Sequence, residues 1–473
     1  MENEKKGIGK GELIALIVSS CIGTGIFGIT SDVAAAAAPG PALLAWVFVG
    51  IGFLMLVLSL NNLSEKRPDL TAGIFSYAGA GFGPVGEFIS GWSYWLSAWL
   101  GNIAFATMLM SSIGTFFPTF KGGQNLPSII VAIVFCWLLT ILVNNGVESA
   151  SFVNMIGTIC KVLPLVIFII IMVVCFKAGM FTADFWDRVA SNASKGTTTG
   201  SVWAQMQGTL MTLIWVFIGV EGASVMAHRA KSRSAAQQAS ITAFVLLVVI
   251  YVLISILPYG VLDRAQLASM GQPAIGHVLQ TTVGTWGSIL INVGLIISTI
   301  VSWLSWTMLP AETTMLVAED KAMPKVWGKV NSKNAPTASL MITAVLQTIF
   351  LFSLLFTDKA YEFAYSLCSA AILFSYLFVG LYQMKYSSEH KEWGQFTIGL
   401  LSAAFMFACM FLAGWQEVLL VSISFIPGFI IYYLACREND HKMSAAEKWV
   451  MVLILVLSVV AIWLVANGTI TVG

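Results

Sequence analysis

Two glycine-bearing segments, Ile22-Gly23-Thr24-Gly25-Ile26 and Ile218-Gly219-Val220-Glu221-Gly222, each interrupt a stretch otherwise long and apolar enough to span a bilayer. Inside hydrocarbon an unpaired backbone amide or carbonyl is costly, so a helix breaks there only where the freed groups line a cavity or hold a ligand. Two such breaks in corresponding places point to a transport site. Two ionisable side chains, Lys161 and Glu221, also lie well inside apolar runs, where a charge costs at least about 2.5 kcal/mol and usually marks function. Groupings for covalent catalysis are missing. The sequence holds no His-Glu-x-x-His motif, no paired intramembrane carboxylates and no Ser/His constellation; His277, His390 and His441 fall in or near loops, and His228 sits beside a basic run. An enzyme is therefore not expected. Cysteines 21, 136, 160, 175, 368, 409 and 436 lie almost entirely in apolar runs without metal or disulfide spacing, so they read as small buried hydrophobes, and no metal or other cofactor is expected.

The elements that must position these residues follow from composition. Of 473 residues, 58% are hydrophobic and 10% charged, far from the roughly 25% charged content of a soluble domain. The chain reads as an all-α polytopic membrane protein. Windows of about 20 apolar residues fall near 12–37, 43–61, 84–117, 127–145, 152–176, 201–227, 237–260, 282–312, 337–356, 361–384, 395–413, 416–435 and 449–466, about 13 spans. The basic start, Met1 to Lys10, precedes an apolar stretch too long for a signal-peptide core, so the first helix is expected to be retained. With the N-terminus in the cytoplasm, seventeen of the 24 lysines and arginines fall on the inner side and six on the outer, with Lys161 alone in the membrane; this fits the positive-inside rule. The formal net charge of +1 hides that asymmetry and gives no reason to expect a nucleic-acid partner. Polar stretches around 178–200 and 313–336 are too short to bury a core and read as loops with room for a short interfacial helix.

The second break comes five spans after the first, and an odd number of spans per repeat inverts the second copy. The expected organisation is a cytoplasmic segment 1–11, a transport core 12–384 made of two inverted five-helix repeats (about 12–176 and 201–384), and additional transmembrane helices at 395–466.

Four separated motifs carry a resemblance: Ile22-Gly23-Thr24-Gly25-Ile26-Phe27, Trp95-Leu96-Ser97-Ala98-Trp99-Leu100-Gly101-Asn102, Trp215-Val216-Phe217-Ile218-Gly219-Val220-Glu221-Gly222-Ala223-Ser224 and Trp306-Thr307-Met308-Leu309. In this order they resemble the amino acid/polyamine/organocation transporter superfamily, and within it the basic amino acid/polyamine antiporters match best. The segment Glu65-Lys66-Arg67-Pro68-Asp69-Leu70-Thr71-Ala72-Gly73 resembles the arginine/ornithine antiporters of that group. The resemblance covers roughly the first twelve spans and implies inverted repeats with broken first and sixth helices around a central site; the thirteenth span departs from twelve-helix members.

What the resemblance implies for the residues can be set beside their chemistry. Exposed amides at a broken helix suit an amino-acid carboxylate; the first break, with Ile22, Gly23, Thr24 and Gly25, would hold it, Thr24 adding a hydroxyl. An α-ammonium seeks carbonyl oxygens, and the resemblance gives it the backbones of Cys21, Trp215 and Ile218. Aromatic faces suit a cationic side chain, which makes Trp215 and Trp306 candidates, while the other tryptophans read as interfacial anchors or packing. Ser97, Ala98, Asn102 and Cys368 would lie near the distal part of the site, Asn102 as a hydrogen-bonding group for a guanidinium or amine. Glu221 would couple occupancy to gating or protonation. Lys161 would stand where sodium-coupled relatives bind an ion.

The function expected is exchange of arginine for ornithine, with lysine/cadaverine, histidine/histamine or tyrosine/tyramine as alternatives that change only the side-chain pocket. A proton-coupled importer and a non-transporting amino-acid sensor are further alternatives, the latter disfavoured by the lack of a soluble signalling domain. Expected partners are small amino acids or amines and the lipid bilayer of a bacterial cell membrane, and the family resemblance allows a homodimer.

Overall fold

A computed structural model describes the backbone of residues 9–70, 73–146, 151–187, 200–222, 232–357 and 359–470, and among these all regular structure is helical. Ten helices are long and apolar enough to cross a membrane, and the number of candidate spans rises to 12 if each of two bent helix pairs counts as one. Each lies on a window expected from the sequence. The remaining window, 201–227, holds the Val202–Trp215 helix and the second break, and its last residues lie outside the described set, as do Ala223, Ser224, His228 and the charges Lys5, Lys6, Arg188, Lys195, Arg229 and Lys231.

The interruptions have local causes. Lys10–Cys21 and Gly25–Ala36 are bent by 56°, because Ile22 leaves the helical region (φ −71, ψ 92) ahead of the glycine pair. Trp415–Ile423 and Phe425–Glu438 are bent by 45°. There Pro427 has no amide for the Ile423 carbonyl, so the window 416–435 is kinked. In the long Ile74–Gly114 helix the backbone departs from helical geometry at Gly83 (φ 73) just before Pro84. The polar stretch 313–336 begins inside a helix, since Thr285–Glu319 continues well past its apolar window.

The described residues fall into two units, each drawing on both the 12–176 and the 201–384 halves. The first comprises the chain up to Gly73, Thr158–Gly294 and Val379–Met406. Its core is aromatic and sits directly on the second break: the Phe217 ring stacks on Phe53 at 4.8 Å and meets Phe244 at 5.4 Å, Tyr251 at 5.5 Å and Trp46 at 6.1 Å. Trp46 Nε1 donates to Ser255 Oγ at 2.9 Å, so the indole is buried with its polar atom satisfied. At the far end of the Gly25–Ala36 helix, Arg264 Nε donates to the Ala34 carbonyl at 2.9 Å, and its Nη1 pairs with Asp187 at 2.9 Å. A cation at a helix C-terminus meets the negative end of the dipole and an otherwise unpaired carbonyl.

The second unit comprises Ile74–Gly157, Leu295–Phe378 and Phe407–Gly473. The Ile74–Gly114 helix is its centre. Trp92, Trp95 and Trp99 follow one another along that helix in tilted and edge-on contact, with centroids 4.6 and 6.1 Å apart. Trp95 also meets Trp327 edge-on at 6.0 Å and donates to Thr343 Oγ1 at 3.0 Å. These three tryptophans serve packing.

Because Phe217 is fully buried and joins the second break to the aromatic core, Phe217→Ala is expected to cost about 3–5 kcal/mol. A thermal melt of the purified protein in detergent checks this, and an unchanged midpoint would show that the break is held by something else.

Candidate functional site

The first unit brings together both breaks, Lys161 and Glu221. At the end of the Lys10–Cys21 helix the last carbonyls are claimed by side chains: Lys161 Nζ donates to the Ser19 carbonyl at 3.1 Å, and the Tyr251 hydroxyl donates to the Cys21 carbonyl at 3.2 Å. Ser19 Oγ and Thr158 Oγ1 are 2.7 Å apart, so one turn of the Ser151–Cys175 helix docks on the break through Thr158 and Lys161 together. Lys161 is buried. It lies at the negative end of the first half-helix.

The start of the second half-helix presents the opposite polarity. Thr24 is the N-cap of Gly25–Ala36 and makes no side-chain cap bond. Among the described residues, nothing accepts from the amides of Gly23, Thr24 and Gly25, and the Thr24 hydroxyl is buried without a hydrogen-bond partner. Donors left open at a helix N-terminus are suited to an anion such as a carboxylate. Gly25 has no room for a side chain, since an added Cβ would lie 2.6 Å from the indole of Trp215.

The second break lies against the first. Gly219 has φ +109, and a Cβ there would lie 3.1 Å from the Ser20 carbonyl oxygen and 3.5 Å from Cys21 Cα. Positive φ and backbone-to-backbone approach both call for glycine. The buried Glu221 accepts from the Gly219 amide at 3.0 Å, so its carboxylate braces the turn from within. Cys21 is within electrostatic reach of both Glu221 and Lys161. Of the three carbonyls expected to face an ammonium, that of Cys21 already accepts from Tyr251 and that of Trp215 accepts from the Ile218 amide at 3.3 Å. The Ile218 carbonyl has no donor among the described residues.

In the second unit, Ala98 and Asn102 lie four residues apart on one face of the Ile74–Gly114 helix. Asn102 Nδ2 donates to the Trp306 carbonyl at 2.9 Å, while its Oδ1 is buried without a partner among the described residues. Ser97 Oγ and Cys368 Sγ are 3.2 Å apart. Trp306 is half-buried, unlike its fully buried neighbour Trp303.

A model of the amino acid permease family matches residues 11–436 of this chain. The chain belongs to that family. The permease is 51% identical to an arginine/ornithine antiporter of Latilactobacillus sakei, covering 100% of this chain and 99% of that protein. It is 43% identical to an arginine/ornithine antiporter of Lactococcus lactis subsp. cremoris (97% of this chain, 90% of that one). It is also 36% identical to an arginine/agmatine antiporter of Chlamydia felis (97% of each). The motif resemblance is thereby borne out, and the permease is an integral membrane protein of many helical spans.

The charged segment that carried part of the resemblance ties the permease's first unit together. Glu65 accepts from Gln237, Lys66 pairs with Glu392 at 2.6 Å, and Arg67 donates to Tyr382 while chelating Asp69. The guanidinium hydrogen-bonded to Asp69 holds its carboxyl below the usual carboxylate range. Thr71 and Ala72 lie outside the described residues. Sequence reasoning missed Tyr251, although a phenolic hydroxyl in the middle of an apolar run is itself a signal that a buried partner exists. It also missed Glu87, which is buried at the start of the 84–117 window, and Pro310, four residues beyond the tryptophan of the fourth motif.

Gly219→Ala would place a side chain against the first break in a disfavoured conformation, at a cost of about 1–3 kcal/mol. The variant is expected to melt earlier and to bind amino acids more weakly by titration calorimetry. Wild-type values in both would show that the two breaks need not touch.

Proposed function

We propose that this permease is a secondary active antiporter that exchanges arginine for ornithine by alternating access, with its N-terminus in the cytoplasm and the halves 12–176 and 201–384 as inverted repeats. The observation that carries the reading is the set of donors at Gly23, Thr24 and Gly25 left unclaimed among the described residues, in a chain matched over its whole length by an arginine/ornithine antiporter. Arginine and ornithine share an α-carboxylate, an α-ammonium and one side-chain cation, so one-for-one exchange moves no net charge. Exchange of this kind needs a site and two accessible states; it needs no catalytic residue.

The roles follow from the chemistry. The amides of the first break and the Thr24 hydroxyl take the carboxylate. The Ile218 carbonyl, with the second lone pairs of the Cys21 and Trp215 carbonyls, takes the ammonium. Trp306 and Trp215 offer aromatic faces to the side-chain cation, and Ser97, Ala98, Asn102 and Cys368 shape the distal end. Lys161 supplies a fixed positive charge at the end of the first half-helix, a place otherwise suited to a metal cation, so sodium is not required. Glu221, bonded to the Gly219 amide, links the packing of the breaks to the closing movement.

A second reading, exchange of arginine for its decarboxylated amine, is favoured by the similarity to arginine/agmatine antiporters. Counterflow separates the two. Proteoliposomes preloaded with ornithine are expected to accumulate labelled arginine faster than empty ones, without added sodium; acceleration only by preloaded agmatine would favour the second reading, and acceleration by no pairing would overturn exchange. Trp306→Ala is expected to weaken arginine binding by about 2 kcal/mol, the size of a desolvated cation–π contact; unchanged affinity would remove Trp306 from the site.

A further inference from the structure

We infer that Pro310 is a specificity-determining residue that acts through Asn102: by withholding its own amide from the helix it fixes which end of the Asn102 side chain is offered to a substrate. The inference rests on the exchange reading above and adds a cause for its preference for a cationic side chain.

In a regular helix the carbonyl of residue 306 accepts from the amide of residue 310. Proline has no such amide, and its ring pushes that carbonyl aside. Within the Thr285–Glu319 helix the Trp306 carbonyl is thus left to find a partner elsewhere. Nearby hydroxyls go to other carbonyls: Thr307 donates to Trp303 at 2.8 Å, Thr313 to Leu309 at 2.9 Å and Thr314 to Pro310 at 3.3 Å. Asn102 Nδ2 is the group that reaches Trp306, at 2.9 Å.

A carbonyl only accepts, so the end of the Asn102 amide facing it must be the NH2 group. This fixes an orientation that shape alone leaves open. The oxygen must then point away from Trp306, and it is buried without a partner among the described residues, on a side chain with 0% exposure. A buried acceptor without a donor favours a ligand tip that brings N–H groups, as guanidinium and ammonium both do, and rejects an apolar tip that leaves it unpaired. With an amide restored at position 310, Trp306 would be served by its own helix. Asn102 could then turn its NH2 toward the substrate and meet donors with donors. Pro310 is thus a positioning residue that touches no substrate.

The test is a double-mutant cycle on the purified full-length protein. Affinities for arginine and for norleucine, an amino acid with an uncharged apolar tip, are measured by titration calorimetry for wild type, Pro310→Ala, Asn102→Leu and the double variant. Pro310→Ala is expected to lower the preference for arginine over norleucine by about fivefold, the scale of coupling between contacting residues, and to have no further effect once Asn102 is Leu. Equal losses in both backgrounds would mean that the proline acts only through the bend it puts in the helix, and would overturn the inference. Should Asn102→Leu not fold, Asn102→Ser gives the same cycle. Wild-type protein that binds no arginine would instead defeat the exchange reading on which the inference rests.

Discussion

The contact on which the first unit depends is between two pieces of unwound backbone. Gly219 lies on the Ser20 carbonyl at positive φ with little space for a side chain, and Glu221 holds the Gly219 amide. Once the two breaks meet in this way, the surroundings are constrained. Phe217 must enter the aromatic core, Trp215 must lie on Gly25, and the carbonyls at the end of Lys10–Cys21 must be met by Lys161 and Tyr251. The resulting polarity is specific: among the described residues, acceptors at the break are largely claimed, and donors at Gly23, Thr24 and Gly25 are not. A site of that character favours an anionic group there before any side-chain preference is expressed.

The second unit meets a related problem with a different means. Proline or glycine in a span frees a backbone group, and in a low-dielectric setting that group has to be served by a neighbour. For Pro310 the neighbour is Asn102. At Ser424, next to the bend imposed by Pro427, the hydroxyl donates to the Val421 carbonyl at 2.7 Å and accepts from Trp92 at 3.3 Å. At Pro310 the helix defect and the polar residue form a pair, and neither member is explained alone.

The sequence made some of this plain and hid the rest for physical reasons. The breaks were legible because two glycine-bearing interruptions fall in corresponding apolar runs five spans apart, and the spans were legible because length and hydropathy are local properties. Lys161 could be singled out as an ionisable group in hydrocarbon, but its position on the Ser19 carbonyl depends on how the fifth window packs against the first. Asn102 could be placed near the site by motif, yet which of its two ends is engaged depends on a proline some two hundred residues away. Glu87 escaped notice because it lies at the edge of its window, where a carboxylate reads as interfacial, although the fold buries it. The kink at Ser424 was unread because window averaging does not register the amide that Pro427 lacks.

The open donors of the first break bear on the empty protein as much as on the loaded one. While water reaches them, the amides and the Thr24 hydroxyl are solvated at little cost. Any rearrangement that shuts water out forces them to be dry and unpaired, at a cost of several kcal/mol, unless a ligand has taken the place of the water. A carrier built in this way has a toll on crossing empty and little on crossing full. Strict coupling of one passenger's exit to another's entry then needs no separate lock, because the unfilled backbone itself supplies the barrier.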